Sequence, residues 1–173
     1  MGAFGIWIPS GLGGTKKTIE KMSTMVRQGK KYPDIIEAAS EITFTCPPKN
    51  KMCEAASLFE WVRDNIRYVM DPTPDDKSGK EYVELVKAPW VTLRHRAGDC
   101  DDQCVLLNSL CEAIGIRTGF ETVKASAQNP DEFSHVYSII KTPNGWRAAD
   151  PTMPEAYLGW RPSRVFGRKQ WII

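Results

Sequence analysis

Three residue types, in one order along the chain, offer chemistry. Gly98-Asp99-Cys100-Asp101-Asp102-Gln103-Cys104 places a cysteine directly after an aspartate, a residue that caps helix starts well. In the first turn of a helix, unpaired backbone N–H groups and the helix dipole favour a thiolate, the form that attacks electrophiles. Asp101 and Asp102 act in the opposite sense, because neighbouring carboxylates raise a thiol pKa. An imidazole is needed to take the proton, and the chain has 2 histidines. His95 sits between Arg94 and Arg96, as a surface residue would. His135 begins the strand-like run His135-Val136-Tyr137-Ser138-Ile139, and Asp150 ends the next such run.

A cysteine at a helix start, a histidine on a strand and an aspartate on the following strand supply a nucleophile, a base and a group to orient the base. Whether His135 and Asp150 meet depends on the turn between them. A four-residue connection, Thr142 to Gly145, keeps Pro143 out of the ladder and sets Lys141 opposite Trp146, Ile139 opposite Ala148 and Tyr137 opposite Asp150. His135 and Asp150 then share a face as diagonal neighbours, roughly 7–8 Å apart. A five-residue connection would put them on opposite faces. Cys104 and Cys111 fall on the same stripe as Cys100 at ~100° per residue, but they lie inside the helix beside leucines, where a thiol behaves as a small hydrophobe.

Periodicity supplies the elements that must position these groups. Apolar spacing predicts helices over Thr15–Gln28, from Pro33 through Ile42, and over Met52–Ile66. Arg67–Met70 reads as a short strand and Asp71–Gly79 as an acidic loop, while Glu81–Leu93 fits strand or helix. The clearest helix runs from Asp99 to Ile114, closed by Gly115. Strands follow over 116–125, 133–141 and 146–150. The fold class is α+β, helices first and an antiparallel sheet after. The expected organisation is an apolar arm over 1–14, one domain over 15–155 and a basic-aromatic extension over 156–173.

The chain has 173 residues, 42% hydrophobic and 25% charged, with 23 basic against 21 acidic side chains, which suits one soluble globular domain. A net charge of +2 gives no case for nucleic acid or an anionic membrane, and the Trp160–Trp171 stretch is too slight to change that. No apolar run approaches the ~20 residues that span a bilayer. The N-terminus lacks the basic region of a signal peptide, and the 5 cysteines are an odd count. These features predict a chain made in the cytoplasm with free thiols. Gly11–Lys16 lacks the lead-in and Gly-Lys-Ser/Thr of a phosphate loop, and Asp75 and Asp76 lack the spacing of a calcium loop. Cys100, Cys104 and His135 are conceivable zinc ligands, but no Cys-x-x-Cys accompanies them, so no metal or organic cofactor is expected.

Gly98-Asp99-Cys100, His135 on a strand and Trp146-Arg147-Ala148-Ala149-Asp150-Pro151-Thr152 together resemble the transglutaminase-like cysteine-enzyme superfamily, over roughly Leu58 to Thr152. Gln103 and Cys104 depart from the aromatic and the small residue usual at those positions. The resemblance implies a papain-like core with the nucleophile helix packed on an antiparallel sheet after an N-terminal helical lead-in. It implies Cys100 as nucleophile, His135 as general base and acid, and Asp150 as the orienting group, with the second oxyanion donor left open among Trp61, Tyr68 and Trp90. The implied activity is acyl transfer through a thioester on a protein or peptide substrate, hydrolysis ahead of transamidation. More loosely, Tyr68–Asp71 and Thr92–Asp102 resemble transglutaminase-like proteins encoded by tailed phages. That likeness adds a different expectation: a structural or assembly component of a virion, docking neighbouring subunits on apolar ends such as Phe4–Ile8 and Trp171–Ile173.

Overall fold

The computed structural model describes residues 3–8, 12–70 and 82–173. The acidic loop expected over Asp71–Gly79 lies outside them. Strand β1 (Ala3–Ile8) precedes helix α1 (Leu12–Gly29), which starts three residues ahead of the expected Thr15 and takes in Gly13 and Gly14. Helix α2 (Pro33–Ile42) begins on a proline, whose missing N–H costs nothing at a first turn. Helix α3 (Lys51–Asn65) is capped by Asn50, whose side chain accepts from the Cys53 N–H. The ambiguous segment resolves into both of its alternatives in succession. Strand β3 (Tyr82–Lys87) is followed by the short helix α4 (Pro89–His95), with the break at Ala88-Pro89.

Helix α5 (Cys100–Ala113) is the axis of the molecule. Every residue from Asp101 to Cys111 is buried, so this helix has no solvent face. It gives Leu106, Leu107, Leu110 and Cys111 to a core shared with α2 and α3. On another side it gives Cys104 and Val105 to a second core with Met22, Met25 and Val26 of α1 and Phe120 and Tyr137 of the sheet. That sheet is antiparallel, in the order β7 (Gly145–Ala149), β6 (His135–Thr142), β5 (Thr118–Val123), β8 (Arg168–Ile172). β5 lies between β6 and β8 and is buried along its whole length. Two smaller pairings complete the fold: β1 antiparallel with β3, and the two-residue strands β2 (Arg67–Tyr68) and β4 (Ala97–Gly98) in parallel. Both apolar ends are thus strands paired within the chain, β1 on β3 and β8 on β5.

The register across the β6–β7 turn is the one expected. Lys141 faces Trp146 and Ile139 faces Ala148, with the ladder closing one pair further out at Thr142 and Gly145. Gly145 adopts a φ of 98°, which glycine reaches without strain.

The expectation of free thiols is corrected for two of the five cysteines. Cys46 and Cys53 form a disulfide, while Cys100, Cys104 and Cys111 stay free. The turn after α2, in which the Cys46 N–H donates to Thr43 O and the Asn50 N–H to Pro47 O, reverses the chain so that the two Cα atoms stand 5.7 Å apart. The odd total concealed a local pair.

Two stability predictions follow from this packing. Replacing Cys46 and Cys53 together by alanine releases a bridge that closes a separation of 7 residues; the loss expected in urea unfolding is roughly 2–3 kcal/mol. Burial pushes the Cys104 and Cys111 thiols well up from their ordinary range. The folded chain keeps these protons beyond the ~8.5 at which unfolded cysteine loses them, so their contribution is complete below that pH and declines above it. Urea midpoints at pH 7 and pH 10 should show the alkaline loss, and Cys111→Ser should reduce it.

Candidate active site

Cys100 is the first residue of α5 and the only one of the three free thiols that is not fully buried. Asp99 caps the helix with an extended backbone, its carboxylate accepting the Asp102 N–H at 3.2 Å. Gly98 is required just before it. A Cβ at that position would stand 2.5 Å from the Asp102 Cβ, so β4 can pass this close to the helix only without a side chain. The Cys100 thiol donates toward Asp101 Oδ1 at 3.6 Å. Burial first, then Asp101 and Asp99, raise its pKa well above the ordinary thiol value. A backbone hydrogen bond from Val136, the residue after His135, acts in the opposite direction and sets the sulfur against the start of β6. One turn on, Cys104 fastens the helix to the same strand, its thiol donating to Val136 O at 3.7 Å and its carbonyl accepting from Ser138 Oγ at 3.5 Å.

His135 and Asp150 meet as the register requires. Nε2 of His135 lies 2.7 Å from Asp150 Oδ2. Asp150 is fully buried, and its other oxygen accepts both the N–H and the hydroxyl of Thr152, at 3.1 and 2.7 Å. The carboxylate is thus held in one orientation, and it calls for a proton on Nε2. That tautomer leaves Nδ1 as the basic atom of the ring. His95, by contrast, ends α4 on the exposed surface.

The three aromatic residues left open by the sequence separate by place. Trp61 lies under the Arg96 guanidinium, 4.4 Å from its ring centroid, and Trp90 stacks on Tyr32 at 4.4 Å. Tyr68 alone stands in the field of the site. Partial burial, followed by Cys100, Asp99, Asp101 and Asp150, pushes its phenol up to about 12, so the hydroxyl remains a donor at neutral pH. β2 delivers it there by pairing Tyr68 with Gly98. No spacing rule foretells a parallel pair of two-residue strands, and so the sequence alone did not select Tyr68. Gln103, one of the departures from the family pattern, is buried and donates to Gly98 O at 3.1 Å, holding β4 to the helix.

A groove of about 690 Å³ opens elsewhere, between α2, α3 and α4. Glu37, Glu41, Glu60 and Asp64 rim it over Trp61 and Leu93, and none of Cys100, His135 or Asp150 lines it.

The electrostatics at Cys100 generate a prediction. Asp101→Asn removes a negative charge beside the sulfur, so the thiol pKa should fall. Alkylation by iodoacetamide at pH 7.5 should then quicken severalfold, with the pH–rate profile displaced to lower pH.

Comparison with known proteins bears on the family and the fold. The family model of the transglutaminase-like superfamily matches residues 37–151. Among solved structures, a proposed cysteine protease from Cytophaga hutchinsonii superposes with a TM-score of 0.52 at 16% identity, over 94% of this chain and 53% of that one. A proposed protease from Parabacteroides distasonis superposes with a TM-score of 0.52 at 12% identity, over 76% of this chain and 26% of that one. The chain thus spans about half the length of the first neighbour and about a quarter of the second. At these identities the neighbours show the fold. No curated protein matches the sequence. The match covers well over half of the chain, including Cys100, His135 and Asp150, and the chain belongs to the transglutaminase-like superfamily.

Proposed function

We propose that the protein is a cysteine-dependent acyl-transfer enzyme that hydrolyses peptide or side-chain carboxamide bonds through a thioester on Cys100. The observation that carries this reading is the His135 Nε2–Asp150 Oδ2 bond of 2.7 Å, made on a strand whose next residue hydrogen-bonds the thiol at the head of α5. Because burial, Asp101 and Asp99 keep Cys100 protonated at rest, the proton leaves as the bond to carbon forms. Nδ1 of His135 takes it while sulfur attacks the carbonyl carbon. Charge collects on the carbonyl oxygen, where the N–H groups at the start of α5 and the Tyr68 hydroxyl supply hydrogen bonds. Collapse breaks the C–N bond, and His135 returns its proton to the departing amine. In the second half His135 draws a proton from water, the oxygen attacks the thioester, and the C–S bond breaks with the proton returned to sulfur. Hydrolysis is favoured over transamidation because both solved neighbours are described as proteases.

The test joins labelling to turnover. Iodoacetamide should modify Cys100 ahead of the other free thiols, and hydroxylamine should trap an acyl group there during turnover of a casein-derived peptide mixture. Cys100→Ala should reduce hydrolysis to background. Asp150→Asn should cost about 10²–10⁴-fold in kcat, because an amide that donates to Nε2 forces the proton onto Nδ1 and removes the base. His135→Ala combined with Cys100→Ala should be no worse than Cys100→Ala alone. Equal, slow labelling of every free thiol would overturn the reading.

A further inference from the structure

We propose that residues Tyr68–Met70 form the ledge on which the acyl portion of the substrate lies. The enzyme would then select extended peptides that carry a bulky apolar side chain next to the attacked carbonyl. This rests on the reading of Cys100 as nucleophile.

Three observations converge on this segment. Tyr68, Val69 and Met70 are consecutive apolar or aromatic residues that are 49%, 41% and 71% exposed. A soluble protein tolerates single exposed apolar side chains, but a contiguous run beside a reactive group marks a contact surface. The run is continuous with the site, because the Tyr68 phenol stands in the field of Cys100 and Asp150, and β4, its partner strand, leads directly into Cys100. The backbone also has a free direction. The Arg67 N–H donates to Arg96 O at 2.9 Å and the Val69 N–H to Gly98 O at 3.1 Å, so both face β4. Successive residues of a strand turn their N–H and C=O groups to opposite edges, which directs those of Tyr68 to the outer edge. There β2 has no partner strand among the described residues.

An extended peptide laid along that edge is guided by main-chain hydrogen bonds to Tyr68 and distinguished by side-chain burial on Val69 and Met70. The charge around the thiol strengthens the choice, since Asp99 and Asp101 repel an acidic side chain placed there. An apolar side chain is accepted at no electrostatic cost.

Peptidyl vinyl sulfones test the proposal, since the Cys100 sulfur adds to them without needing a leaving group. The probes are two blocked dipeptides that differ in the residue next to the sulfone, leucine in one and aspartate in the other. Wild-type protein should react with the leucine probe at least tenfold faster. The double variant Val69→Ser/Met70→Ser should lose most of that preference. Phe44→Ser removes a side chain that is 86% exposed in the α2–α3 connection and should keep the preference. Equal rates for the two probes, or a preference untouched in the double variant, would overturn this inference while iodoacetamide labelling of Cys100 still upheld the catalytic reading. Failure of both sulfones and iodoacetamide to modify Cys100 selectively would overturn both.

Discussion

A carboxylate taken out of water must receive its hydrogen bonds from the protein. Three such groups decide how this chain closes. Asp102, Glu121 and Asp150 are each at most 1% exposed. Asp102, in the first turn of α5, accepts the Lys87 N–H at 2.7 Å and pairs with the Lys87 ammonium, so the end of β3 is fixed to the start of α5. Asp150 is satisfied by His135 and Thr152. Glu121 takes the Tyr137 hydroxyl, Gln170 at 2.7 Å and Arg161 at 3.1 Å, and these donors outweigh its burial to hold the carboxyl below its usual range. Removing one partner of a buried charge costs far more than an exposed ion pair contributes. The chain therefore has little freedom to place α5, β6 and β8 in any other relation.

Glu121 also accounts for the end of the sequence. The family match stops at residue 151, yet Arg161 and Gln170 beyond it complete the bonds of a charge in the middle of the sheet. Tyr137, held by the same carboxylate, packs its ring against His135 with centroids 6.2 Å apart. The C-terminal stretch, basic and aromatic in composition, is consequently built into the sheet on β5, one strand removed from the strand that bears the histidine.

Much of the site was legible because parity is a strong constraint. A strand turns one side chain in two to each face, so the parity of a single turn decided whether His135 and Asp150 could meet; the turn is Pro143-Asn144 instead of the four residues expected, with the same parity. Helix α5 announced itself through Asp99 and the leucines. The unread parts depend on long-range or local geometry that periodicity does not carry. Tyr68 reaches the site through a pairing of strands thirty residues apart. β3 and α4 share one apolar stretch whose division only the Ala88-Pro89 break reveals. The Cys46–Cys53 bridge depends on how tightly two prolines turn the chain.

That bridge sets an unusual demand on the protein's surroundings. The chain holds two sulfurs joined while three thiols stay reduced, Cys100 among them as the proposed nucleophile. Oxidants attack thiolates much faster than thiols, so a cysteine kept protonated by burial and by Asp101 and Asp99 is spared between substrates. The acidic residues that raise the Cys100 pKa thereby act as a preservative of the proposed nucleophile, and they let one molecule keep a disulfide and a reduced thiol under the same conditions.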